Sequence, residues 1–328
     1  MNDKRTATMS NPRTPRFLQT RIADSAADLA AAGMALLAER PSIAPKFFYD
    51  KLGSHLFEAI TELPEYYPTR TEAAIFAGHA TAMAHAAGSG MALIDLGAGN
   101  CAKAASLFPL LEPKRYVAVD ISVEFLREAL RRVQREHPQV EIVGLGQDFS
   151  SALEIPAEFV ADARPVFFYP GSSIGNFTPP EALAFLRRIR SRAEGGGLLI
   201  GVDLVKAPKV LEAAYDDALG VTAAFNLNAL RHLNSAIGSD FEPRQWRHVA
   251  FFNDAESRIE MHLEAREAVH LGWPGGERRF AAGERIHTEN SCKYTASGFA
   301  SLLRDAGFRN PQAWTDAKGW FAVFQAAA

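Results

Sequence analysis

Cysteine is scarce in this chain: Cys101 and Cys292 are the only two among 328 residues. Neither lies at a metal-ligand spacing from another Cys, so a reducing cytoplasm and no disulfide framework is the simplest expectation. Both are expected to be buried small apolar groups, since no local His or strand-turn-helix motif activates either as a nucleophile. None of the nine histidines stands at close metal spacing from a Cys or carboxylate, so no metal is expected. No apolar run approaches the roughly 20 residues that a membrane span needs. The first twenty residues are polar, carry Arg and Pro, and lack the apolar core of a signal peptide or anchor. Residues 1–20 read as a disordered tail. Charge is nearly balanced, 35 Lys and Arg against 38 Asp and Glu for a net of −3, and no extended face gathers the cations that phosphate neutralisation requires. The one basic run, Leu126 to Arg135, fits the solvated side of a helix whose apolar face carries Phe125, Leu126, Ala129, Leu130 and Val133.

What is present is a soluble, core-forming composition, 48% hydrophobic and 22% charged, in a chain long enough for two cores. Ala23 to Glu39 has helical spacing, and Pro41 stops it. A segment dense in aromatics and prolines follows, then a helix over Thr71 to Ala87. From Met91 the pattern becomes strands alternating with helices, the mark of a parallel sheet covered on both faces. The predicted strands are MALIDL, RYVAVD, VEIVGL, PVFFYP and GLLIGVDL, with helices over Cys101 to Leu110, Val123 to Glu136 and Pro180 to Arg192. After Asp203 a helical stretch and strand-like segments interrupt the alternation, as an inserted second domain would. A helix over Thr295 to Ala306 and strands around Ala313 and Phe321 to Phe324 close the first domain.

The turn Asp95-Leu96-Gly97-Ala98-Gly99 follows a strand and precedes a helix, which puts glycine where backbone passes close to a ligand. Ala102 stands where a dinucleotide fingerprint has its third glycine, which weakens a nicotinamide reading and leaves it open. Asp120 ends the next strand, where a carboxylate can accept from both ribose hydroxyls. After the third strand, Asp148 can accept from an exocyclic adenine amine while Phe149 covers the ring. Three such loops at successive strand ends suit an adenosyl group. The fourth strand runs into Gly171-Ser172-Ser173-Ile174-Gly175-Asn176, where Asn176 is either a turn residue or a holder of a small polar substrate.

The segments FFYDKLGSHLFEAITELPEYYPTRTE, IDLGAGN, FFYPGSSIGNFTP, AYDDALGVTAAFN, RIEMHL and HTENSCKY resemble the histidine-specific methyltransferases of ergothioneine biosynthesis, from about Pro41 to the end. The resemblance implies an α/β fold: a Rossmann-like class I methyltransferase sheet, doubly wound with a closing antiparallel strand, beside a smaller α+β substrate domain. The boundaries expected are 21–85 for an N-terminal part of the substrate domain, 86–203 with 287–328 for the donor domain, and 204–286 for the insertion. It further implies S-adenosylmethionine as donor, held by Tyr49, Gly97, Lys103, Asp120, Asp148 and Phe149. The amino acid would meet Tyr66, Gly171, Asn176 and Tyr215, and Glu289 with Ser291 would read the imidazole. Asn290 stands between those two, where some members of the family carry an apolar residue.

The activity so implied is transfer of three methyl groups to the α-amine of L-histidine, giving the betaine hercynine as the first step of ergothioneine biosynthesis. Tyr49 and Asn176 are the expected catalytic partners, with no dedicated strong base. The expected setting is a cytoplasmic monomer without nucleic-acid or membrane partners. Two alternatives stand beside this: the same chemistry on another aromatic amino acid, and a nicotinamide-dependent oxidoreductase on a similar sheet.

Overall fold

The computed structural model describes residues 13–19, 26–150 and 152–328. In chain order its first elements are β1 (Arg16–Gln19), α1 (Ala26–Leu37), α2 (Lys51–Thr61), α3 (Tyr67–Ala87), β2 (Ala92–Leu96), α4 (Ala102–Leu111), β3 (Arg115–Asp120), α5 (Val123–Glu136), β4 (Glu141–Gly146), β5 (Pro165–Tyr169), α6 (Pro179–Arg192) and β6 (Gly197–Asp203). There follow α7 (Pro208–Tyr215), α8 (Val221–Ile237), β7 (Trp246–Asn253), β8 (Arg258–Ala265), β9 (Val269–Trp273), β10 (Gly276–Phe280), β11 (Arg285–Cys292), α9 (Ala296–Asp305), β12 (Arg309–Thr315) and β13 (Phe321–Ala327).

An eight-stranded sheet runs in the order β1-β4-β3-β2-β5-β6-β13-β12. The strands from β1 to β6 pair parallel, and β13 closes the sheet antiparallel to β6. Strands β2, β3, β5 and β6 are buried along their whole length, which is why they read as continuous apolar runs rather than alternating ones. Two cores lie against this sheet, one under α6 and α9 and one under α3, α4 and α5. The helix α5 buries Leu126, Ala129, Leu130 and Val133, so the basic run is its outer face. α6 starts on a capping box between Thr178 and Glu181, with Pro179 where a missing N–H costs nothing. Cys101 and Cys292 are both free and buried.

A third core joins the first part of the chain to the insertion, from Leu36, Phe47, Phe48 and Tyr66 to Leu211, Phe225, Trp246 and Ile286. It is built on α8 and a three-stranded antiparallel sheet in the order β11-β8-β7.

Three boundaries move. Arg16–Gln19, placed in the tail by its polarity, is an edge strand parallel to β4. Gly144 and Gly146 on β4 make room for it: a Cβ on Gly144 would stand 2.5 Å from the Phe17 ring, and the Arg127 guanidinium caps that ring at 3.8 Å. Residues 1–12 and 20 of the predicted tail, and 23–25 of the first predicted helix, lie outside the described residues. α3 starts a turn earlier than predicted and sends Ile75, Phe76, Met83 and Ala87 into a large-sheet core, so it belongs with the donor domain rather than with segment 21–85. β11 crosses the predicted boundary at 287 and lies wholly in the three-stranded sheet, because His287 to Cys292 pair with His262 to Arg258 on β8.

Candidate active site

On the donor side, the turn after β2 holds Gly97 at φ 71° and Gly99 at φ 52°, a backbone region in which a side chain is strained. A Cβ on Gly99 would meet nothing within 4 Å, while one on Gly97 would touch the Phe149 ring at 3.7 Å. The turn therefore has open space above Gly99 and an aromatic wall beside Gly97, where the sequence reading put the adenosyl group. Phe149 is itself set by Tyr169 and Phe185, with ring centroids 5.8 and 6.0 Å away. Asp120, at the end of β3, accepts from the Gly99 and Ser122 amides at 2.8 Å each. Burial pushes its pKa up, against the backbone donors that pull it down. Asp148, beyond the end of β4, is partly exposed and accepts from the Ser150 amide at 3.0 Å.

Asp95 is a further donor-side acid. Its Oδ2 accepts from the Tyr116 hydroxyl at 2.6 Å, while its Oδ1 is buried with no hydrogen-bond partner among the described residues. Burial pushes its pKa to about 7 despite that phenol and the nearby Lys103. A buried acceptor short of a donor, beside an open glycine turn, is what an incoming ammonium would satisfy, so the residues present fit an adenosyl ligand that carries a free amino-acid tail.

Lys103 and Gly171 meet through Glu72, which sequence reading missed. The Glu72 carboxylate is fully buried, pairs with the Lys103 ammonium, and accepts from the Gly171 amide at 2.9 Å. Gly201 in the middle of β6 creates its berth, for a Cβ there would stand 2.0 Å from Glu72 Oε1. A glycine inside a strand was the available signal.

On the substrate side, Ser172 (φ 61°) turns the chain into a 3-10 turn over Ser173–Asn176, and its Oγ accepts from the Asp203 amide at 2.8 Å. Gly175 lets that turn lie on β11: a Cβ would be 3.0 Å from the Cys292 carbonyl oxygen and 3.5 Å from Ser291 Oγ. Asn176 Nδ2 then reaches Glu289 Oε2 at 3.4 Å. Burial pushes the Glu289 pKa to about 8, although Lys293 pulls the other way.

Glu289 and Ser291 share a face by the alternation of the strand, and that face is the buried one because β11 is irregular ahead of them. Ahead of the irregularity Ile286 faces in, opposite Leu263; after it Glu289 and Ser291 do, opposite Met261 and Ile259. The register shift falls at Thr288, whose Oγ1 donates to the Met261 carbonyl at 3.0 Å. One extra residue thus flips the phase of the strand, a known device for re-aiming side chains at sites. Asn290 points to the other face, where its Oδ1 lies 2.9 Å from His287 Nε2.

Tyr49 and Tyr66 stand in an aromatic cluster with Phe57 and Phe225, and Tyr66 meets Tyr215 at 6.3 Å between ring centroids. The Tyr49 phenol is held well above its ordinary pKa by burial, then by Glu289 and Asp120. It is therefore in electrostatic reach of both halves, and Ser122 Oγ ties its carbonyl to the Asp120 turn at 2.9 Å. The Tyr215 hydroxyl lies 2.7 Å from Ser291 Oγ.

A family model described as histidine-specific methyltransferase, SAM-dependent, matches residues 29–328. The chain belongs to that family. The nicotinamide alternative is thereby set aside, and the reaction class is methyl transfer from S-adenosylmethionine. The histidine N-alpha-methyltransferase of Mycolicibacterium smegmatis is 40% identical over 311 residues, covering 92% of this chain and 95% of that protein. The protein of the same name from Mycobacterium tuberculosis is 40% identical over 294 residues, 87% of this chain and 90% of that one. A 4-dimethylallyltryptophan N-methyltransferase of Trichophyton verrucosum is 26% identical and covers 85% of this chain and 87% of its own length. No metal-holding group of His, Cys, Asp and Glu occurs among the described residues, nor a helix long and apolar enough to cross a membrane.

Proposed function

We propose that the chain transfers three methyl groups in succession to the α-amino nitrogen of L-histidine, giving its trimethylated betaine, as the opening step toward ergothioneine. The observation that carries the substrate is the pairing of an acid and a hydroxyl, Glu289 and Ser291, turned to the buried face by the Thr288 irregularity and set beside Asn176. A carboxylate and a hydroxyl at that spacing suit a ring with two nitrogens, and a side chain lacking them leaves buried polar groups unpaired. The 40% identical relatives carry the matching name.

S-adenosylmethionine supplies a sulfonium methyl that an amine lone pair attacks in line, with no electrophilic help needed. Gly97, Asp120, Asp148, Phe149 and Lys103 hold that donor at the strand ends. Tyr66, Gly171 and Tyr215 hold the amino-acid backbone, and Asn176 orients the amine beside the methyl. The protein's contribution is positioning, worth several kcal/mol in well-oriented reactions. Each transfer needs a neutral amine; Tyr49 and Asn176 hydrogen-bond it, and proton loss to water suffices because a desolvated amine beside a cation favours its neutral form. The rings of Tyr49 and Tyr66 face the growing cation. The enzyme works as a monomer in the cytoplasm, without nucleic-acid or membrane partners.

The test is to incubate purified protein with S-adenosylmethionine and each aromatic amino acid and to read masses. Histidine should gain one, two and then three methyl groups; methylation of tryptophan or tyrosine with histidine untouched overturns the substrate and spares the donor.

A further inference from the structure

Behind Ser291 and Tyr215 lies a fully buried cluster that the reaction above does not use. Lys293 Nζ donates to Ser291 Oγ at 2.7 Å, to the Tyr215 hydroxyl at 3.2 Å and to Asp203 Oδ2 at 2.8 Å, so its three protons have three acceptors. Asp203 in turn takes the Tyr67 hydroxyl at 2.6 Å and the Lys206 ammonium at 2.6 Å. The side chain of Lys293 has no exposed surface, and its ring-face contact with Tyr215, 4.9 Å to the centroid, fixes it further. Burial alone pulls the ammonium's pKa down; Asp203 foremost, with Tyr215, outweighs it and holds the pKa above the ordinary lysine value.

The Tyr215 and Ser291 oxygens are 2.7 Å apart, and one proton lies between them. Either oxygen could donate by geometry; a phenol is the stronger acid, and we assign the proton to Tyr215, with Ser291 accepting. Ser291 then has one lone pair filled by Lys293 and the other by Tyr215. What remains to it is its own O–H, directed away from the cluster. An incoming ring can only accept there, and a second cation would face the Lys293 ammonium across a single hydroxyl. The other charged or titratable groups facing this point are Glu289 on β11, which accepts the ring N–H, Tyr66 and Tyr49 from the aromatic cluster, and Asp203, Lys206 and Tyr67 behind.

We propose that Lys293 is a specificity-determining positioning residue: by filling an acceptor site on Ser291 and standing as a fixed cation behind it, it makes Ser291 a donor and admits the histidine ring only in its neutral form. This rests on the histidine reading of the site.

The experiment is 15N spectroscopy of ring-labelled histidine bound to the full chain with S-adenosylhomocysteine, together with calorimetric affinities at pH 8 and pH 5.5. In the wild type the bound ring shows one protonated and one bare nitrogen even at pH 5.5, and affinity falls at least tenfold over that range, because free imidazole, with a pKa of about 6.5, and Glu289 in the empty site, raised to about 8 by burial, both take up protons that the complex excludes. In Lys293→Met, Ser291 regains a lone pair; imidazolium signals appear at pH 5.5 and the fall in affinity is smaller than that of the wild type by about threefold or more, while S-adenosylhomocysteine still binds as in the wild type. Lys293→Arg keeps the donors and the wild-type pattern. Should Lys293→Met lose S-adenosylhomocysteine binding, Lys293→Ala carries the test in its place, since it removes the same charge and donor and leaves room for water beside Asp203; it too should let imidazolium in. A wild type that binds histidine as imidazolium, or variants whose bound ring stays neutral, overturns the proposal alone. A wild type that binds S-adenosylhomocysteine but no histidine overturns the substrate reading, and this inference with it.

Discussion

Replacing Glu289 with Gln should make the ligand-free protein more stable and the enzyme worse. Burial raises the Glu289 pKa from 4.5 to about 8. In that window the folded state keeps a proton that the unfolded state has released, so stability falls as pH rises from about 4.5 to about 8 and levels beyond. At about 1.36 kcal/mol per pH unit the ceiling of the penalty is about 4–5 kcal/mol. Water admitted to a ligand site cuts this, and about 2 kcal/mol is a reasonable expectation at pH 8.5. Gln has the same shape and no charge to desolvate. It should raise the melting temperature of the free protein by about 4 °C at pH 8.5, and by about 1 °C at pH 5.5. Asp95, also raised by burial, is common to both proteins, so the difference between them isolates Glu289. The assay is ligand-free scanning calorimetry of both proteins across that pH range. The companion measurement is histidine affinity at pH 8, which should fall tenfold or more, because a ring N–H then loses a charged acceptor. Melting curves that run parallel from pH 5.5 to pH 8.5 would refute the buried-acid argument. So would a variant that is stabilised yet binds histidine as the wild type does.

Gly201→Ala places a Cβ 2.0 Å from Glu72 Oε1 and forces that carboxylate off both Lys103 and the Gly171 amide. We expect a loss of about 1–3 kcal/mol in thermal or urea unfolding from overpacking, and methyl transfer slowed about tenfold in initial-rate assays as the Gly171 loop loosens; wild-type rates would show that Glu72 does not set that loop. Asp120→Ala strips the acceptor from the Gly99 and Ser122 amides. S-adenosylhomocysteine binding by calorimetry should weaken tenfold or more, since two charged hydrogen bonds that shape the turn are lost along with any to the ligand; unchanged binding would remove Asp120 from the donor site.

The large sheet was legible because its signals are local. Each buried strand is a short apolar run ended by a glycine or an acid, and Gly97, Asp120 and Asp148 fall at the ends of β2, β3 and beyond β4 for that reason. What escaped the sequence reading depends on contacts distant in the chain. Phe17 makes an edge strand only because Gly144 and Gly146, over 120 residues later, leave it a trough. Glu72 looks like a helix-surface acid until Gly201 on β6 is seen to vacate its place. Lys293 follows the reader motif HTENSC directly, yet nothing in its neighbours says that its charge is met by Asp203, ninety positions back. The two readers themselves were visible as residue types and not as a geometry. Simple alternation puts Glu289 and Ser291 on one face but leaves open which, and the extra residue at Thr288 decides it.

The distribution of charge explains why recognition and stability oppose each other here. Asp203 is buried with two ammonium groups and a phenol, its charge fully met, and its pKa stays low: burial pushes it up and Lys293 with Lys206 more than reverses that. Glu289 is nearly as deeply placed and, among the described residues, is hydrogen-bonded only by an amide at the limit of range, so its charge is met by Lys293 at a distance and its pKa climbs. Two carboxylates on the same chain, a few side chains apart, therefore differ in whether the protein or an incoming molecule completes their hydrogen bonds. Glu289 costs free energy in the empty site and regains it when a ring N–H arrives, which couples occupancy to stability by mass action. An acid left short of partners in this way discriminates by what it refuses: a side chain without a ring N–H inherits the whole desolvation cost, so rejection of the wrong amino acid needs no clash.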